Sequence, residues 1–188
     1  MKYDGFVQVF NSFILLSLSK AVHKKVNIDL FKNIIKVEPS ERNEDTLTLI
    51  ATNGIMMNIV ELSKELVIKM DLSVGLWRVI KKTKSKIWLV RIKDSDAENI
   101  QYPNWKNVLT NHVSNYTTDI FIKNKSDKFQ EYSKLFKNFP QQTAMDFRYL
   151  KKIPINIQYE VLWQSPTKPI IFKSNFTSVV MPREANNE

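Results

Sequence analysis

The side chains able to do chemistry are few, and their spacing does not suit catalysis. His23 and His112 are the only histidines; they lie far apart and share no metal-ligand spacing. There is no cysteine, which excludes disulfides, thiol nucleophiles and thiolate-held metals. The three glycines, Gly5, Gly54 and Gly75, cannot build a glycine-rich phosphate loop. Carboxylates gather as Glu41, Glu44 and Asp45 and as Asp94 and Asp96, in polar stretches where solvated charge is the ordinary explanation. No set of them converges as nuclease chemistry requires. The residues read as a binding protein and not an enzyme, with no metal and no cofactor.

Positive charge is what the chain has in quantity. Lys and Arg number 28 against 19 Asp and Glu, a formal net charge of +9. Such an excess suits nucleic acid or an anionic surface. Only Arg42, Arg78, Arg91, Arg148 and Arg183 are arginines. Arginine is the usual bidentate reader of guanine, whereas lysine acts as a point charge. A lysine-rich excess therefore favours sequence-blind phosphate contact. An AT-rich genome, which writes Lys and Asn everywhere, accounts for the excess about as well. The candidates for DNA contact are Lys20, Lys24, Arg78, Lys81, Lys82, Lys84, Lys128, Lys134, Arg148 and Lys151. No apolar run reaches the roughly 18–20 residues that span a bilayer. The start, Met1-Lys2-Tyr3-Asp4, does not read as a secretory signal, and a reducing cytoplasm is the expected compartment.

Elements must carry these side chains. Residues 47–62, LTLIATNGIMMNIVEL, alternate in the period of two that marks strands, and Asn53-Gly54 signals a type I′ hairpin turn. Residues 4–22 place Phe6, Val9, Phe10, Phe13, Leu16 and Leu18 at helical steps, with a strand over 13–18 as the alternative. Strands are expected over 27–37, 65–70 and 87–92, with loops over 38–45 and 94–99. Asp71 to Ser73 offers caps for a helix over 76–83, where Arg78, Lys81, Lys82 and Lys84 form a basic cluster without an acidic neighbour.

With 188 residues the chain can hold one large domain or two small ones. A first domain over 1–101, a connector over 102–110 and a second domain over 111–188 are expected. Pro103 restricts Tyr102 to extended backbone. The second domain opens with a strand over 116–122. A helix capped by Ser126 follows, with Phe129, Tyr132, Leu135 and Phe136 on one face and Lys128, Lys134 and Lys137 on the other. A short strand over 143–145 leads to a helix from Asp146 that Pro154 stops. Strands over 155–163, 170–172 and 177–181 complete an α+β architecture, each half combining strands with two short helices that show a basic face.

Four stretches carry a resemblance. Thr52-Asn53-Gly54 after a strand resembles the Ala-Thr-Asp-Gly turn of the bacterial DNA polymerase III beta subunit, the DNA sliding clamp. Residues 102–109, YPNWKNVL, resemble that family's aromatic-Pro-Asp/Asn-aromatic segment between its second and third domains. Residues 179–183, VVMPR, resemble its C-terminal tail, and Asp146-Phe147-Arg148-Tyr149-Leu150 resembles the segment that starts its last helix. The resemblance covers most of the chain as two clamp-like domains, the second one shortened.

It implies sheets outside and basic helices inside, double-stranded DNA held without sequence preference, and partners tethered by a short clamp-binding peptide. Those partners are a DNA polymerase or other replication and repair proteins, with a clamp loader as a further partner. Carried over, the peptide groove comprises Phe31, Thr52, Gly54, Met57, Pro103, Val108, Val179 and Met181. Six domains would close a ring as a homotrimer, in a phage-infected cytoplasm or a nucleoid and away from membranes. Two departures stand out. The family's Asp-Gly-His-Arg is Asn53-Gly54-Ile55-Met56 here, and only residues 138–145 stand where the family has several strands. An open, non-ring accessory protein and an unrelated basic α+β DNA-binding protein are the alternatives.

Overall fold

The computed structural model describes residues 7–22, 31 and 33–183. The chain divides into two compact units, Met1–Pro103 and Asn104–Glu188. The fold is α+β, with antiparallel strands and short helices.

The first unit is built on β1 (Gln8–Phe10), β2 (Ile34–Pro39), β3 (Thr46–Thr52), β4 (Met56–Ser63), β5 (Gly75–Lys82) and β6 (Ile87–Arg91). Their order in the sheet is β1-β6-β5-β2-β3-β4. β3 and β4 are the expected hairpin, paired from Thr46–Ser63 to Thr52–Met57. Leu15 and Leu18 of α1 (Phe13–Leu18) are fully buried, each worth about 1.5–3 kcal/mol in area removed from water. Asn58 of β4 is also fully buried and donates to Ser17 O at 3.0 Å, which ties strand to helix.

The turn differs from a type I′ bend. Asn53 N donates to Met56 O at 3.1 Å, and Asn53 Oδ1 accepts from Ile55 N at 3.0 Å and Met56 N at 2.8 Å. Gly54 has φ 87°, and neither Asn53 nor Ile55 has positive φ. The central pair is therefore Gly54-Ile55, with glycine where the left-handed conformation is required. Asn53 serves as a side-chain clamp on the turn.

Several expected elements are corrected. The N-terminal amphipathic segment splits into β1, α1 and a 3-10 turn at Ser19–Ala21, because Ser12 Oγ accepts from Leu15 N and caps a helix starting only at Phe13. Residues 65–70 are helical as α2 (Lys64–Lys69). Ser63 Oγ caps it through Leu66 N, and Lys69 meets Glu65 at 2.6 Å one turn away. The apolar run there was too short to fix a period.

The expected helix over 76–83 is instead β5. It lies between β2 and β6, and Leu76, Trp77, Arg78 and Val79 are all buried. A strand covered on both faces loses its alternation and can be mistaken for a helix. Residues 94–99 contain α3 (Asp94–Ala97). Lys24, His23 and the first part of the strand expected over 27–37 lie outside the described residues.

The second unit holds α4 (Trp105–Thr110), β7 (Tyr116–Phe121), α5 (Lys128–Lys137), α6 (Phe147–Leu150), β8 (Gln158–Trp163), β9 (Ile170–Lys173) and β10 (Phe176–Val180). Its sheet order is β10-β9-β8-β7, all antiparallel. β8 alternates cleanly, with Tyr159, Val161 and Trp163 turned into the core. Tyr132 of α5 meets Phe172 edge-on at 5.8 Å, and Tyr159 meets the same ring at 6.2 Å.

Here too there are corrections. Asp127, not Ser126, occupies the cap position of α5, and Ser126 Oγ donates to Asp127 Oδ1. Residues 143–145 are not a strand. They are nonetheless pinned, since Trp163 Nε1 donates to Thr143 Oγ1 at 2.9 Å and Arg183 N to Ala144 O at 2.9 Å. The helix after Asp146 ends at Leu150, before Pro154 is reached, and β8 begins only at Gln158.

Candidate functional site

Three residues expected in the groove, Thr52, Gly54 and Met57, lie together at the turn end of the β3–β4 hairpin. Thr52 and Met57 are cross-strand partners. Thr52 Oγ1 accepts from Gly54 N at 3.1 Å and donates to Met56 O at 3.1 Å. Thr52 and Met57 are buried, whereas Gly54 and Ile55 at the tip are exposed.

Tyr102 connects this strand to Phe31 and Pro103. Its hydroxyl donates to Ile50 O at 2.9 Å, and Phe31 packs edge-on against its ring at 6.5 Å. The ring rests on the cluster of Ile34, Leu76 and Ile92, and Lys36 Nζ lies 5.8 Å above it. Burial, reinforced by the charge of Glu38, pushes the Tyr102 hydroxyl far above its ordinary pKa. It stays a protonated donor, so the start of residues 102–110 is fastened to the hairpin strand.

In the second unit Val179 is buried in β10 opposite Ile171, and the chain then emerges, leaving Met181 38% exposed. Val108 is half-buried on α4. Thr52, Gly54 and Met57 thus form one cluster and Phe31 and Pro103 flank Tyr102. Val179 and Met181 follow β10 and its exit.

The candidate cations separate into two kinds. Arg78 is 6% exposed in the middle of β5, paired between Ile34 and Val90. Lys128 is 5% exposed and its ammonium donates to Lys151 O at 2.8 Å and to Ile153 O. These two cannot offer phosphate a charge on an open surface, and the expectation for them is corrected. Lys82 is half-buried and donates to Ser19 O, beside the half-buried Lys20.

Lys81, Lys84, Lys134, Arg148 and Lys151 are exposed. Lys81 sits 5.2 Å from the Trp88 ring, Lys134 pairs with Glu131 at 2.8 Å, and Arg148 pairs with Asp146 at 2.6 Å. The Arg148 hydrogen bonds hold the Asp146 carboxyl below the usual carboxylate range and raise the guanidinium in turn. Hydrogen bonds from Ser126 and Asn124 hold Asp127 low as well. No cluster of histidine, cysteine and carboxylate groups able to hold a metal occurs among the described residues. None of the described helices is long and apolar enough to cross a membrane.

One feature was missed in the sequence. α5, α6 and residues 138–145 enclose a surface pocket of about 550 Å³ lined by Phe129, Tyr132, Phe136, Phe139 and Phe147, with Ser133, Gln142 and Lys137 at hand. The density of aromatics between 129 and 147 was the available signal, but helical spacing made the ring positions look like ordinary core.

The fold so described is that of a DNA sliding clamp. Solved bacterial clamps align with nearly the whole chain. The Helicobacter pylori beta clamp bound to a DNA ligase peptide matches 97% of this chain and 67% of its own, with 11% identity and a TM-score of 0.52. The Caulobacter crescentus pol III beta matches 98% and 68%, with 10% identity and a TM-score of 0.56. The Pseudomonas aeruginosa DNA polymerase sliding clamp matches 98% and 68%, with 9% identity and a TM-score of 0.51. No family model and no curated protein sequence matches the chain.

Proposed function

We propose that this chain is a clamp-type processivity factor. It holds double-stranded DNA without reading its sequence and tethers a polymerase or repair protein through a short peptide. The observation that carries this reading is the clamp fold over 97% of the chain, in a comparison whose partner is bound to a ligase peptide. In this reading two clamp-like domains, residues 1–101 and 111–188, are joined by 102–110. Phe31, Thr52, Gly54, Met57, Pro103, Val108, Val179 and Met181 line the peptide groove. Three copies close the ring, and the protein performs no chemistry of its own.

Phosphate contact falls to Lys20, Lys81, Lys82, Lys84, Lys134, Arg148 and Lys151. Lysine-dominated contact gives modest affinity that falls with log[salt] at a slope of roughly −0.9 per phosphate neutralised. A closed ring has a topological signature: retention on nicked circular DNA and loss from the same DNA once linearised. Equal loss from both forms refutes the ring. Groove binding is tested separately. A folded Val179→Ala, Met181→Ala double variant should lose a polymerase-derived clamp-binding peptide that the wild type retains, and unchanged peptide affinity refutes the groove.

A further inference from the structure

The lining of the aromatic pocket on the second unit shares no residue with the proposed groove or the proposed phosphate contacts. Phe129 is 66% exposed, which is unusual for a large ring on a helix that also supplies core. It meets Phe147 edge-on at 5.3 Å, and Phe136 meets Phe139 at 5.3 Å. Phe129 and Phe136 thus present rings at the pocket, above the buried Tyr132. The volume, about 550 Å³, accommodates flat rings inserted among them.

The charge around the pocket points to one class of occupant. From 123 to 152 the chain carries seven cations besides the buried Lys128, against three carboxylates. Each carboxylate is already engaged: Asp127 by Ser126 and Asn124, Glu131 by Lys134 and Asp146 by Arg148. Exposed Lys137 and Lys151 lie on the same two helical segments. Aromatic faces beside surplus positive charge are what an unpaired nucleic-acid strand requires, the rings for its bases and the cations for its phosphates. Bases inside a duplex are stacked on their neighbours and cannot enter such a pocket.

We propose that this pocket is a single-strand site that stacks an unpaired base on Phe129 and Phe147. The ligand class is single-stranded DNA, in addition to the duplex of the clamp reading. The site would favour junctions where a duplex gives way to a single strand.

The test uses the full chain, fluorescence anisotropy and a labelled oligothymidylate of about a dozen nucleotides, within the range such sites cover. An abasic oligonucleotide of the same length is the control. The wild type should bind the thymidylate at least about fivefold more tightly than the abasic strand, the gain expected of one stacked base. Phe129→Ala, at an exposed position and so expected to fold, should abolish that preference, and Phe129→Tyr should keep it. Equal binding of the two oligonucleotides overturns the proposal, as does an unchanged preference in Phe129→Ala. Loss of a partner peptide alone in that variant would make the pocket a protein site and also overturn it. Duplex affinity, measured on the same samples and expected not to change in Phe129→Ala, reports separately on the clamp reading.

Discussion

Lys128 offers the sharpest separation of structure from function. It begins α5, where a cation opposes the helix dipole, and it is almost wholly buried. Its ammonium is held because it crosses to the carbonyls of Lys151 and Ile153, just past the C-terminal end of α6, where backbone acceptors lack helical partners. Lys128→Met keeps the apolar stem and deletes the charge. Two charge-assisted hydrogen bonds contribute roughly 1.5–3 kcal/mol each, and relief of the buried ammonium's desolvation offsets part of that loss. A net loss of about 2 kcal/mol remains. In a unit of this size each kcal/mol shifts the melting temperature by about 4–8 °C, so the second unit should melt about 8–16 °C lower. Scanning calorimetry measures this directly. Below the transition, the salt slope of DNA binding should match the wild type, because the ammonium faces protein. A melt within about 2 °C of the wild type would refute the structural role. A slope reduced by roughly 0.9 would show the ammonium reaching a phosphate instead.

The exposed lysines should behave in the opposite way. Lys84→Ala and Lys151→Ala should each reduce the salt slope by about 0.9 with little change in melting temperature, and an unchanged slope for both removes them from the DNA-facing set. Gly54→Ala should destabilise the first unit by about 1–2 kcal/mol in denaturant titration, since a Cβ is strained at the positive φ found there. Tyr102→Phe should lose about 1 kcal/mol from the hydroxyl's bond to Ile50 O, and an unaltered unfolding midpoint would contradict the fastening described. His112 is held below its ordinary pKa by burial, against the partial offset of its bond to Pro169 O. Below the usual histidine value of about 6.5 the unfolded chain therefore binds more protons than the folded one, and stability falls as pH drops through that region. His112→Gln should flatten the decline in a pH series of thermal melts, and an identical slope would dismiss the effect.

The hairpin over 47–62 was legible because Asn53-Gly54 interrupts an alternating run between two strands that pair directly. β7, β9 and β10 were legible for the same reason, being short alternating or β-branched segments with turn residues between them. β5 was not. Coverage on both faces erased its alternation, and the charges that follow suggested a helical stripe. α2 escaped because three apolar residues in a row fit either period, and only the Ser63 cap and the Glu65–Lys69 pair distinguish a helix. The turn type escaped too. Asn-Gly does favour positive φ at both positions, but the Asn53 side chain accepts two amides and shifts the bend by one residue. Thr52, Gly54 and Met57 were named from the family resemblance, and the hairpin pattern located them at its turn end, whereas the burial of Arg78 and Lys128 comes from tertiary packing that no local pattern reveals.

These corrections alter where charge can act in the first unit. On a helix over 76–83, Arg78, Lys81 and Lys82 would share a face. On β5 they do not, because the successive residues Lys81 and Lys82, opposite Trp88 and Ile87, project to opposite faces of the sheet. Arg78 is left in the sheet interior, whereas Lys81 emerges over Trp88 of the neighbouring strand. Lys84 follows in the β5–β6 turn, where Thr83 N donates to Lys86 O at 2.8 Å. Lys82 meanwhile reaches Ser19 O and so stands next to Lys20. Of the candidate cations described in this unit, Lys81, Lys82 and Lys84 therefore lie at one end of the β5–β6 hairpin and Lys20 in the 3-10 turn that Lys82 reaches. Phosphate contact there would depend on a turn held by Thr83, so Thr83→Ala, which removes a hydroxyl that accepts from Lys86 N at 3.1 Å, should weaken DNA binding without removing any charge. Unchanged affinity in that variant would show that the lysines act without the turn's geometry.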